Sequence, residues 1–160
     1  MARLIVLDAS VSIAALSVDD VHHRAAAAAI ASLGLDDELL LAATTRTEVL
    51  VGPCRAGGST LQSARDFVDG CATVPVTVAI ADAAAELKAR HGALSVPDAV
   101  ALVVADVVGA DIVWTFDQRW STVDSRVTIP TAPPSVARRS EEDEIGEREP
   151  TPDADDVPEP

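Results

Sequence analysis

The stretch Leu4-Ile5-Val6-Leu7-Asp8-Ala9-Ser10 decides the fold: four consecutive apolar residues end abruptly in an acid, a small residue and a hydroxyl. A short uninterrupted apolar run bounded by a turn signal reads as a strand buried on both faces, and Asp8 with Ser10 opens a helix behind it. The unit is strand, acid, helix.

Working outward, the same alternation recurs. An Ala-rich helix is expected from about Asp20 to Leu33, with Asp19 or Asp20 as its cap and Gly34 as its stop. A second strand, Glu38 to Ala42, leads through Thr44 and Thr45 into a helix carrying Glu48, which Pro53 is expected to kink or end before Gly57 and Gly58. A further helix runs from about Thr60 to Val68. The stretch Thr73 to Val78 contains Pro75 and suits a short or edge strand. A helix from about Ile80 to Arg90 follows, then another opened by Ser95 and Pro97 and closed by Gly109. Asp111 to Trp114 reads as a buried strand, Thr115 to Asp117 as its exit loop, and Val127 to Ile129 as the last strand. Strands alternating with helices predict a three-layer α/β/α domain around a mostly parallel central sheet.

Composition agrees. The 160 residues suffice for one domain, 48% of them are hydrophobic, and the near absence of aromatics leaves Ala, Val, Leu and Ile to build the core. No apolar run is long enough to span a membrane and the start lacks a cleavable leader pattern, so a cytoplasmic protein is expected. Cys54 and Cys71 form no CxxC or Cys/His pattern and read as reduced and structural. The net charge of −14 excludes a broadly basic nucleic-acid binder. Half of that excess lies in residues 131–160, ten acids against three arginines in a Pro-rich stretch without hydrophobic periodicity. These residues are expected to form a disordered tail behind a domain of residues 1–130.

Four acids stand out: Asp8, Glu48, Asp98 and Asp117. Each has a local explanation. Asp8 caps a helix, Thr45 to Glu48 fits a T-x-x-E capping box, Asp98 is a first-turn acid behind Pro97, and Asp117 starts the short stretch at Gln118. Capping does not explain why Asp8 and Asp117 both follow strands at their carboxyl ends, the edge where open α/β sheets place their sites. Glu48 and Asp98 begin helices that return from that edge. Four converging carboxylates raise one another's pKa or recruit a hard cation, Mg²⁺ or Mn²⁺. Such a site suits phosphodiester hydrolysis. Ser10, Thr44, Thr45 and Thr115 are placed to orient the carboxylates or a water. Arg46 and Arg119, each within two residues of one of the acids, are candidates for touching a phosphate or a neighbouring acid. His22, His23 and His91 join no metal-ligand pattern and read as structural, Trp114 reads as core, and Trp120 sits on an expected surface turn where it stacks on RNA or a partner.

The phrases VLDASV from Val6, TTRTEVLVG from Thr44, LSVPDAVALVVA from Leu94 and IVWTFD from Ile112 together resemble a PIN-domain ribonuclease over about residues 3 to 129. EVLVGP and SVPDA most resemble the VapC-type toxins of type II toxin–antitoxin pairs. The resemblance implies Asp8, Glu48 and Asp98 as metal ligands, with Asp117 binding a second metal or positioning the attacking water. It also implies Mg²⁺- or Mn²⁺-dependent cleavage of RNA, a homodimer, and inhibition by a cognate VapB-like antitoxin. Gln118, Arg119 and Trp120 depart from the usual small cluster after the last motif, and the acidic tail is not usual either. Three rivals remain: a solitary RNA-processing nuclease, a non-catalytic binding module on the same scaffold, and an aspartyl-phosphate phosphatase. The last wants a second aspartate where Ser10 stands.

Overall fold

The computed structural model describes residues 2–134. Five strands form one sheet: β1 (Leu4–Leu7), β2 (Glu38–Ala42), β3 (Ala72–Val74), β4 (Ile112–Trp114) and β5 (Val127–Thr128). Their spatial order is β3-β2-β1-β4-β5, and every neighbouring pair is parallel. The helices are α1 (Ala9–Leu16), α2 (His23–Ala31), α3 (Ala43–Ala56), α4 (Gly58–Asp69), α5 (Val78–Arg90) and α6 (Val96–Val108), with a 3₁₀ helix at Gln118–Thr122.

The strands are apolar throughout because both faces of the sheet are covered. Ile5, Leu7, Leu41 and Trp114 point into a layer formed by α1 to α4, where they meet Val11, Ala26, Val49 and Val68. Val6, Leu40, Ala42 and Val113 point the other way, onto α5 and α6. The three-layer α/β/α reading therefore holds, and here the sheet is wholly parallel. Burying a Val or Leu side chain contributes about 1.5–3 kcal/mol, and α6, with seven consecutive buried residues from Ala99 to Ala105, is the main apolar slab on its face.

The first two crossovers carry the chain from β1 outward to β3. The third, through α5 and α6, returns it past β1 to place β4 on the other side. The sheet order thus reverses between β1 and β4, which opens a crevice at their carboxyl ends.

Several local expectations change. The helix around Glu48 begins at Ala43, directly behind β2, with Ala42 in the capping position and no side-chain cap. Thr45 and Glu48 therefore form no capping box, because both already lie inside the helix. Pro53 does not end it either: α3 continues to Ala56 and stops at Gly57, whose φ of +69° is left-handed backbone suited to glycine. The capping position of α2 is His22, with Asp20 accepting the His22 N–H at 2.8 Å. β3 is an edge strand that ends before Pro75. Both cysteines are free thiols; burial pushes that of Cys71 up to about 11. No described helix is long and apolar enough to cross a membrane. The expected tail at 131–160 lies outside the described residues, apart from 131–134, which carry no regular structure.

Candidate active site

Asp8 occupies the turn between β1 and α1, in the crevice between β1 and β4. Its backbone N–H donates to the Trp114 carbonyl at 2.9 Å, tying it to the end of β4. The carboxylate is nearly buried, at 9% exposure, and is oriented from three sides. Oδ1 accepts the Ala9 N–H at 2.7 Å, while Oδ2 accepts the hydroxyls of Ser10 at 2.5 Å and Thr115 at 2.8 Å. Thr115 is fully buried and also accepts the Asp117 N–H, at 3.0 Å. One hydroxyl therefore sets the position of both acids that follow strands.

Glu48 stands one turn into α3 and Asp98 in the first turn of α6. With no cap to serve, Glu48 has lost its bland explanation. Asp98 keeps its own: Oδ2 accepts the Ser95 N–H at 2.8 Å, and Ser95 Oγ accepts the Asp98 N–H at 3.2 Å, a complete capping box. Asp8 and Asp117 are also helix caps. Capping and convergence are thus compatible, since a cap uses only part of a carboxylate's accepting capacity.

Electrostatics show that three of the acids share a field. Burial, and then the charge of Asp98, raises the pKa of Asp8 against the hydrogen bonds from Ser10, Thr115 and Ala9 that lower it. Burial and then the charges of Asp8 and Asp98 raise that of Glu48. Asp117 goes the other way. Arg119 donates to both of its oxygens and lowers its pKa, and the positive charge of Arg119 also feels Asp98. Asp117 is therefore neutralised by its own chain, whereas no arginine pairs with Asp8, Glu48 or Asp98 among the described residues.

An oxygen-only set of mutually repelling carboxylates fits a hard divalent cation in chemistry and charge. As they stand, no three acidic, histidine or cysteine side chains among the described residues are gathered tightly enough to hold a metal ion. The hydrogen bonds give a reason: one oxygen of Asp98 faces Ser95, and both oxygens of Asp117 face Arg119. Asp98 would bind a cation through its remaining oxygen.

The expected supporting residues divide. Ser10 and Thr115 orient Asp8. Thr44 has a buried hydroxyl with no hydrogen-bond partner, at the start of α3 on the same sheet edge, while Thr45 is buried and bonds to none of the four acids. Arg46 does not carry its closeness to Glu48 into space. Two residues apart on a helix means opposite faces, and Arg46 donates instead to the Val68 carbonyl, Thr73 and Asp69, fastening α3 to α4 and β3. Trp120 is also corrected: it is 1% exposed and packs under α6, leaving its Nε1 buried without a partner. That orphaned donor costs about 1–3 kcal/mol, set against the large apolar area of the indole.

The exposed imidazole of His22 lies flat on Phe116, with ring centroids 4.2 Å apart and planes 14° from parallel. Phe116 immediately precedes Asp117, and its N–H donates to Ser10 Oγ at 3.1 Å. His22 and Phe116 are 94 positions apart, and no periodicity links them. His23 is structural as expected, with Nδ1 on the Ala14 carbonyl.

A doubly wound parallel sheet with Asp8 at its switch point defines the class: an α/β domain whose candidate site lies at the carboxyl ends of β1 and β4. Within that class the chain belongs to the PIN-domain family, whose model matches residues 5–125. No curated protein matches the chain in sequence. Solved structures share its fold at low identity. VapC20 of Mycobacterium tuberculosis, described as a sarcin–ricin-loop-cleaving toxin, superposes with a TM-score of 0.65 and 22% identity over 74% of this chain and 94% of its own. A toxin–antitoxin complex from Klebsiella pneumoniae gives 0.66 and 20%, covering 80% and 98%. VapBC-1 of nontypeable Haemophilus influenzae gives 0.60 and 13%, covering 79% and 96%.

Proposed function

We propose that the protein is a metal-dependent endoribonuclease that hydrolyses RNA phosphodiesters, and that it is the toxin of a type II toxin–antitoxin pair. The observation that carries the nuclease reading is that Asp8, Glu48 and Asp98, none paired with an arginine, stand at the carboxyl-terminal edge of the sheet, with the carboxyl pKa values of Asp8 and Glu48 raised by burial and neighbouring charge. A stable fold does not require that arrangement, because like charges oppose one another.

Asp8, Glu48 and Asp98 are the residues that would hold Mg²⁺ or Mn²⁺. The ion would supply Lewis acidity toward a phosphoryl oxygen and a lowered pKa for water. Ser10 and Thr115 keep Asp8 Oδ2 in place. Asp117, held by Thr115 and Arg119, would accept a proton from a water or bind a second ion once Arg119 exchanges its carboxylate for a phosphate. The family and the structural neighbours support the toxin reading. So does an apolar groove of about 300 Å³ between α1 and α3, running from Ile13 to Glu48, which suits the cognate VapB-like antitoxin. A homodimer working in the cytoplasm, with the residue 131–160 segment as a polar appendage, completes the proposal.

The test is cleavage of RNA by purified, partner-free protein with Mg²⁺ or Mn²⁺, comparing wild type with Asp8→Asn and Asp98→Asn. Manganese binding by calorimetry provides a readout independent of turnover. Loss of both in the variants supports the proposal; equal cleavage by all three proteins overturns it.

A further inference from the structure

The His22–Phe116 stack is unexplained by the carboxylate chemistry, and it is the only stacked aromatic pair among the described residues. The chain has two Trp, two Phe and no Tyr. Both tryptophans are buried, and Phe67 is packed against the core. Phe116 also rests on that core and His22 is exposed, so the imidazole forms the outer layer of the stack. The stack adjoins the site through two hydrogen bonds, Phe116 N–H to Ser10 Oγ and Ser10 Oγ–H to Asp8 Oδ2.

Charge sharpens the question of how RNA is held. Residues 1–130 contain nine Lys and Arg side chains. Five of them, Arg3, Arg46, Arg90, Arg119 and Arg126, are in ion pairs with the chain's own acids. A surface so short of unpaired cations gains from contacts that need no charge. Unstacked bases of single-stranded RNA bind aromatic and imidazole faces in this way, with little regard to sequence.

Resting on the ribonuclease reading, we propose that the outward face of His22, backed by Phe116, is a stacking platform for one unpaired nucleobase of a single-stranded RNA substrate, seated beside the phosphate that enters the Asp8 crevice. The platform positions the substrate and takes no part in bond breaking. Its specificity is for an unpaired base rather than for a particular one, so it directs cleavage to loops and single strands.

The experiment uses oligoribonucleotides carrying 2-aminopurine at successive positions, titrated with full-length Asp8→Asn protein so that the RNA stays intact. At one position the fluorescence is quenched by stacking. Adding His22→Ala abolishes that quench and weakens binding about tenfold, while His22→Phe restores both. His22→Leu, which covers Phe116 but offers no π face, behaves like Ala. In the otherwise wild-type protein His22→Ala raises KM about tenfold and leaves kcat within about twofold. Restoration by Leu as well as Phe, or unchanged binding and KM in His22→Ala while wild type cleaves RNA, overturns the platform and leaves the nuclease assignment standing. Failure of wild type to cut RNA with either metal, and of Asp8→Asn to bind it, overturns both.

Discussion

The two ends of the sheet treat the same residue type in opposite ways. At the amino-terminal edge, Asp37, Asp111, Asp124 and Asp106 each have a partner. Asp37 is buried against Arg3 and also accepts backbone N–H groups from Arg3 and Gly34. Asp111 accepts the Leu4 N–H, and Asp124 and Asp106 share Arg126. The Arg3 guanidinium holds the Asp37 carboxyl well below the usual range, and Arg126 lowers that of Asp124. At the carboxyl-terminal edge, burial and neighbouring carboxylates raise Asp8 and Glu48. An acid with an arginine fastens strands together; Asp8, Glu48 and Asp98, without one, carry an electrostatic cost. The second arrangement marks the edge that holds the candidate site, where Asp117 alone of the four acids has an arginine.

The contrast is most directly broken at Asp8. Asp8→Asn is expected to lower RNA cleavage by about a hundredfold or more, whereas Asp37→Asn should leave kcat within about twofold while lowering Tm by roughly 5 °C or more. Cleavage rates and thermal melts of the two variants decide it; a Tm loss without a rate loss at Asp8 reverses the assignment of the two edges. Thr115→Val, nearly isosteric, removes the hydroxyl shared by Asp8 and Asp117 and should cost about 10- to 100-fold in rate or metal affinity.

Two smaller effects sharpen the comparison through pH. At Asp37 the folded pKa is depressed, so its stabilisation is present above the unfolded value near 3.9 and is lost as pH falls through that range and below. At Asp8 and Glu48 the folded pKa is raised, so folding is favoured at pH below their unfolded values near 4 and that advantage is lost as pH rises through the folded values. Glu48→Gln should therefore raise Tm at neutral pH by roughly 1–2 °C in metal-free buffer, a modest gain because the side chain is exposed and screened. Mg²⁺ or Mn²⁺ should raise the wild-type Tm and leave that of Asp8→Asn nearly unchanged. A fall in Tm for Glu48→Gln would remove the case for a shared field at this edge.

How legible all this is from the residues depends on the range of the interaction that decides each point. The sheet and most helix positions follow from apolar runs and local breakers: Leu4–Leu7 and Glu38–Ala42 are strands with the expected bounds, Ser95 and Pro97 open α6, and Gly109 ends it. The four acids were visible because two of them directly follow strand runs. Where α3 begins was not legible, since Thr45 and Glu48 fit a capping box as a string. The chain enters the helix straight from β2, so the packing of Val49 and Thr45 sets the start instead.

Sequence by itself therefore determined the α/β class, the order of its elements and the acids that define the candidate site, because strand runs, caps and breakers act within a few residues. Tertiary structure alone decided what those acids and their neighbours face. It turned Arg46 toward Asp69, buried Trp120 beneath α6, joined Asp8 to Thr115 across 107 positions and laid His22 on Phe116. The contacts of Asp8 with Thr115 and of His22 with Phe116 depend on the crossover that sets β4 beside β1, and that of Arg46 with Asp69 on the packing of α3 against α4, long-range choices that no local pattern encodes.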